Sequence, residues 1–333
     1  MVLGADTSNV DLVFVAGMAV KRHGRLLRTG VERVRRLALA SGDTDSLVIA
    51  SWAQAAAAHA RGDLRGSVWA DLHDTHAIRA LAISVFDGHL CITQRLLYGN
   101  RPYPDVIAFA DSFAAEAQRL GAARGHAFAV TLRGEANLLS GHLDPAAADL
   151  TEAVRISRGI GAATGEALAL QRRAEVALHR GCRDEAGALL DDALAVARDS
   201  DVGFHLLDRI YGTRITAAAD PDAGLAALEE AEAAVRGPLE TCPGCRITFA
   251  VPAAIAAARG GDLDRTVQYE QAAEMLATVV MRLPAWHAAL AEVRGHRLRA
   301  AGDRGATAQF RVAAEGFRQV GQPLDAARCA ALL

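Results

Sequence analysis

Most hydrophobic positions in this chain are Ala or Leu, and few of them fall in the β-branched alternating runs that strands require. The pattern therefore predicts helices throughout. A longer period lies over the helical one. Aligning the pattern "xxGxxxxA" places turns at Gly24, Gly62, Gly99, Gly141, Gly181, Ala219, Gly261 and Gly302, a spacing of about 40 residues. Seven residues upstream of these turns stand Gly17, Ala55, Ile92, Gly134, Ala174, Gly212, Ala254 and Gly295. Five residues downstream stand Thr29, Ser67, Pro104, Ala146, Ala186, Gly224, Thr266 and Thr307, and twelve downstream the last five units carry Ala153, Ala193, Ala231, Ala273 and Ala314.

Small residues in fixed columns have a physical use. Two antiparallel helices joined by a short turn approach closely only where side chains are small, and the next pair must nest at a similar place. The Gly between them supplies the positive φ that ends the first helix, and Asp or Asn beside it starts the second. By the same logic Asp63, in "HARGDLRG", is expected to cap a helix. The embedded Arg-Gly-Asp would serve adhesion only in an exported protein.

This ladder of small residues resembles the tetratricopeptide repeat in a longer form. The match is good from "GEANLLSGHLDPAAADLTEA" and "AEVALHRGCRDEAGALLDDA" onward, whereas in the early units Arg36 and Asp74 occupy the late Ala column and "YGNRPYPDVIAFA" inserts residues after Gly99. The expected fold is an all-α solenoid of about eight tetratricopeptide-like helix pairs in a right-handed superhelix. Residues 1–120 form degenerate helical repeats, continuous with well-matched repeats over 121–333. Together with "TCPGCRITFAVPAAIAAARGGDLDRT" and "AAEGFRQVGQPLDAARCAALL", the repeats resemble the C-terminal sensor region of large bacterial LuxR-type, ATPase-containing transcriptional regulators of the maltose-operon activator class. That resemblance implies binding of an inducer or partner and control of an ATPase. Neither the ATPase nor the DNA-binding activity transfers to these residues, since the chain contains no G-x-x-x-x-G-K-[ST] and no helix-turn-helix follows "CAALL". The chain is expected to be either the sensor region of such a regulator or a stand-alone adaptor built from it.

Charge and cysteine usage narrow the class further. The net charge is -3 with a pI near 6.4 and no long run of like charge, so direct nucleic-acid binding is not expected. No signal peptide or bilayer-length apolar run stands out, and the five cysteines are odd in number, which leads to the expectation of a cytoplasmic protein without membrane contact. No cofactor or metal is expected, and a homodimer is left open.

Candidate chemistry is sparse. Cys242 and Cys245 in "TCPGC" have the spacing of a redox pair or half a zinc site, with plain structural thiols the favoured reading. Asp71, His73, Asp74 and His76 in "DLHDTHAI" read first as a solvated turn between repeats. No nucleophile motif is present, so the chain is read as non-catalytic, with an enzyme site in the groove as the weakest alternative. In tetratricopeptide-like folds the residues three before and one after the small helix A position face the groove. That register selects Phe14, Trp52, His89, Thr93, Thr131, Glu135, Gln171, Glu175, Arg209, Thr213, Glu292 and His296 as either a wall that takes a protein segment or small effector or an ordinary solvated inner face. Glu135, Gln171, Glu175, Arg209 and Thr213 are expected to converge as exposed groups adding little to stability.

Overall fold

A computed structural model of the chain describes residues 12–15, 18–22, 25–26, 28–60, 64–77, 86, 89–90, 93, 96–200, 203–235 and 244–333. The chain forms two compact units, Met1–Ile92 and Thr93–Leu333. Within each unit successive helices pack on their neighbours, as in an α-solenoid.

The first unit opens with an antiparallel sheet of β1 (Leu12–Val15), β2 (Met18–Arg22) and β3 (Arg25–Leu26), in the order β1-β2-β3. The first helix of the first expected pair is therefore absent at these residues, and Phe14 lies on a strand. The physical reason is local: "LVFV" is rich in β-branched and aromatic residues, and it is followed by Gly17. Three helices follow, α1 (Arg28–Ser41), α2 (Thr44–Ala60) and α3 (Leu64–Thr75), packed in sequence. Gly62 and Asp63, the expected turn and cap, lie outside the described residues.

The second unit contains α4 (Tyr103–Arg119), α5 (Ala123–Leu139), α6 (Leu143–Gly159), α7 (Ala163–His179), α8 (Arg183–Arg198) and α9 (Phe204–Ala217). It continues through α10 (Pro221–Ala234), α11 (Ile247–Arg259), α12 (Leu263–Met275), α13 (Pro284–Ala300), α14 (Ala306–Gln319) and α15 (Pro323–Ala330). Because α4 packs on α5, this unit begins before residue 121, where the well-matched repeats start.

The turns follow one recipe. Gly121, Gly141, Gly161, Gly181, Gly261, Gly302 and Gly321 all have positive φ. In each case the next residue's N–H donates to the carbonyl five residues back, as His142 does to Asn137 at 2.8 Å and Cys182 to Ala177 at 2.9 Å. This is the Schellman arrangement, which satisfies carbonyls that the helix end would leave exposed. Asp220 and Asp262 then cap α10 and α12, accepting from the backbone N–H of Ala223 at 2.8 Å and Arg265 at 3.0 Å.

The small-residue columns sit where helices touch. Ala146, Ala153, Ala186, Ala193, Ala231, Ala273 and Thr266 are fully buried. A Cβ on Gly134 would lie 2.8 Å from Leu150 Cγ, and one on Gly295 would lie 2.6 Å from the Phe310 ring. The approach of α9 to α11 is close. Pro252 has no N–H for the Thr248 carbonyl one turn back, and that oxygen lies well inside van der Waals contact of where a Cβ on Gly212 would stand.

The odd-numbered helices α5, α7, α9, α11 and α13 also touch one another in succession and form an inner layer. Its two ends are bridged. The segment Leu96–Asn100, broken by Tyr98 (φ -108°, ψ 38°) and Gly99 (φ 108°), contacts α4, α5 and α13. Tyr98 stacks on Trp286 of α13 with ring centroids 4.6 Å apart. A Cβ on Gly99 would lie 3.1 Å from Val320 and 3.2 Å from Pro284. Gln322 Nε2 donates to Tyr103 Oη at 2.7 Å, and Tyr103 Oη donates to the Leu97 carbonyl. The solenoid of the second unit thus closes on its own first turn.

This packing gives a paired prediction. Gly212→Ala should destabilise the fold by about 1–3 kcal/mol through overpacking at Thr248, whereas Gly187→Ala, with open space at its Cβ, should stabilise by about 0.5–1 kcal/mol. Urea unfolding of the two variants checks this, and equal effects would contradict the inner-layer packing.

Candidate ligand cavity

Four charged residues from three inner helices meet below the bridged ends. Arg172 of α7 is 3% exposed; its Nε donates to Glu135 Oε1 of α5 at 2.7 Å, Nη1 to Glu175 Oε2 at 2.7 Å and Nη2 to Tyr98 Oη at 2.9 Å. Gln171 Nε2 donates to Glu175 Oε1 at 2.6 Å and to Thr213 Oγ1 of α9 at 2.8 Å. Arg209, one turn before Thr213 and also 3% exposed, has Nη1 3.7 Å from Glu135 Oε1, an oxygen that Arg172 already occupies. Among the described residues, Arg209 Nε and Nη1, Gln171 Oε1 and Trp286 Nε1 are buried without a hydrogen-bond partner.

Burial works against the Arg172 cation, yet Glu175, Tyr98 and Glu135 outweigh it and push its pKa well above the ordinary value. The Tyr98 phenol is pushed up chiefly by burial, partly offset by the two arginines. Both arginines therefore remain cations, and Tyr98 remains neutral.

This cluster forms one end of a cavity of about 740 Å³. Tyr98, Gln171, Arg172, Glu175, Arg209 and Thr213 line it, while Glu135 and Thr131 are buried outside the lining. The α11 side chains Val251, Pro252 and Ile255 supply an apolar floor, and Trp286 and Phe317 add aromatic walls. A second polar group stands on α13 and α15. Arg328 Nε and Nη2 bind Glu292 at 2.9 and 2.7 Å, and Arg328 also pairs with Asp325. His296 lies edge-to-face on Phe310 at 5.1 Å; burial, only partly opposed by Glu292, pushes its pKa down to about 4. The volume and the mixture of apolar floor with a few polar groups match small-ligand sites, which typically span about 300–1,000 Å³.

The repeat register thus brought Gln171, Glu175, Arg209, Thr213, Glu292 and His296 to one cavity. It erred on exposure: Glu135, Gln171, Arg209 and Thr213 are buried rather than standing in water, while Glu175 is half-buried. Thr131 Oγ1 turns back to the Ala127 carbonyl at 2.8 Å. His89 belongs to the first unit, where its Nε2 meets Asp71 Oδ2 at 2.9 Å and Arg35 Nη2 donates to Asp71 Oδ1 at 2.7 Å. Asp71 is consequently buried on α3 and not part of a solvated turn. Thr93 is buried, and Trp52 lies on α2 with its side chain outside the described residues. Cys242 is likewise outside them, while Cys245 is buried beside α11. Arg172 and Tyr98 escaped the register because one stands a residue off the groove positions and the other precedes an irregular turn. Among the described residues no group of three or more His, Cys, Asp or Glu could hold a metal ion.

The site defines the class as an α-solenoid whose last helices pack against its first turn around a partly open cavity. No protein-family model and no curated protein sequence matches the chain.

Breaking a buried ion cluster leaves uncompensated charge. Arg172→Met should lower stability by about 3–5 kcal/mol, while Arg155→Ala, which loses only an exposed pair with Glu152, should leave stability nearly unchanged. Chemical denaturation of both variants provides the check.

His296 gives a pH dependence of known sign. Its folded pKa of about 4 lies below its ordinary 6.5, so the unfolded chain binds the proton more readily. Stability from this group is complete above 6.5 and is lost as pH falls toward 4. Asp208 acts oppositely: burial, against the pull of Arg246, raises it from 3.8 to about 6, so its contribution falls as pH rises through that window. The difference in Tm between the wild type and His296→Gln isolates the histidine, and it should move in favour of the variant between pH 6.5 and 4.

Proposed function

We propose that this chain is a non-catalytic ligand-binding repeat module whose site is the cavity of the Thr93–Leu333 unit. The observation that carries this reading is the closure of the solenoid on its own first turn, through Tyr98 on Trp286 and Gln322 on Tyr103, around polar groups left without partners. Buried polar atoms without hydrogen bonds cost about 1–3 kcal/mol each unless something else serves them. A small effector or a short protein segment fills such a space; a folded partner does not. The stand-alone adaptor that grips proteins along an open groove is therefore the second reading.

The wider role follows from the resemblance of the repeats to the sensor region of LuxR-type bacterial regulators. In that role ligand binding stabilises the closed solenoid and shifts the equilibrium of whatever domain adjoins it. Cytoplasmic location belongs to the same reading. No described helix is long and apolar enough to cross a membrane.

Ile255→Trp, which extends a partly exposed cavity side chain into the space, tests the site. Native mass spectrometry of the full chain after exposure to a small-molecule extract should show a bound species with the wild type and none with the variant, at equal helicity. Retention of the bound species by the variant would place the ligand elsewhere and favour the adaptor.

A further inference from the structure

Resting on that reading, we propose that the ligand is a small amphiphile headed by a carboxylate with an N–H donor on the adjacent carbon, as in an amino acid or the C-terminus of a short peptide. Arg209 receives the carboxylate. It is a buried guanidinium lining the cavity, and its Nε and Nη1 find no acceptor among the described residues. The nearest carboxylate, Glu135, lies 3.7 Å away and is bound at 2.7 Å by Arg172. A buried guanidinium with unmet donors is met by a carboxylate through charge-assisted N–H···O bonds, which are stronger than neutral ones.

The acceptors for the nitrogen stand on the neighbouring helix. Gln171 has its amide nitrogen fixed by Glu175 and Thr213, which leaves Oε1 buried without a donor. Glu175 Oε1 accepts from Gln171, and the carboxylate is partly open to the cavity. A cation with spare donors beside an amide oxygen and a carboxylate with spare acceptor capacity is complementary to a group that is anionic at one atom and an N–H donor at the next. A simple anion would serve Arg209 alone and leave Gln171 Oε1 unmet.

The rest of the cavity sets the body of the ligand. The same cavity is lined by the apolar Val251 and Ile255 of α11 and by Trp286. An apolar side chain covers this surface, and the volume of about 740 Å³ leaves room for a second residue.

Isothermal titration of the full chain with the twenty L-amino acids and with Leu-Phe, each compared with its C-terminal amide, decides the matter. At least one apolar acid should bind, with its amide at least tenfold weaker. Arg209→Met should bind acid and amide alike, and Gln171→Leu should weaken the acid; circular dichroism confirms that both variants fold. N-acetylation separates the sources: weaker binding identifies an ammonium on Glu175, and unchanged binding identifies a peptide N–H. Amides that bind as well as acids, an acid preference that survives Arg209→Met, or no binding by any acid would overturn the proposal. If no acid binds yet Ile255→Trp still removes a bound species from extract, the ligand class is wrong and the cavity stands. If Ile255→Trp removes nothing, both readings fall.

Discussion

Arg172 is a cation almost without water, and the closed solenoid depends on how its charge is met. Its three nitrogens go to Glu135, Glu175 and Tyr98, and so tie α5, α7 and the broken segment Leu96–Asn100 to one point. Tyr98 could not be held in that segment for its own sake, since Gly99 beside it must adopt a positive φ to slip between Val320 and Pro284. The bond to Arg172 and the stack on Trp286 together place the first turn of the unit against its last repeat. Without the small-residue columns the inner helices could not come close enough for these side chains to meet.

The same arrangement explains why the cavity is chemically uneven. Arg172 takes the available oxygen of Glu135, so Arg209 is left with donors and no acceptor. On the far side Arg328 and Glu292 satisfy each other. One polar group of the cavity is therefore internally neutralised and the other holds unmet capacity, and apolar side chains of α11 line the same cavity. Capacity of that kind in a buried place is costly to keep, and it is the feature behind the proposed ligand binding.

Much of this was legible in the sequence, because the fold is a repeat. A period marked by Gly141, Gly181, Gly261 and Gly302 locates turns that all take positive φ, and the Ala columns locate contacts that leave them fully buried. Spatial neighbours such as Gln171 and Thr213 followed from register alone. What failed was local or depended on closure. Leu12–Val15, Met18–Arg22 and Arg25–Leu26 fold as strands because short-range β preference outweighs a weak repeat signal there. Arg172 and Tyr98 matter only because the ends of the unit meet, and no periodic pattern encodes that meeting. Burial of the ion cluster was missed for the same reason: an open solenoid would have left those groups in water.

The central claim is that the two ends of the second unit touch. Tyr103 and Gln322 are 219 residues apart and share one hydrogen bond of 2.7 Å. A double-mutant cycle of Tyr103→Phe and Gln322→Leu, read by urea unfolding, measures that contact directly. The closed solenoid predicts a coupling energy of about 0.5–3 kcal/mol, as found for residues in contact. Additivity of the two changes within error would contradict closure, and with it the cavity.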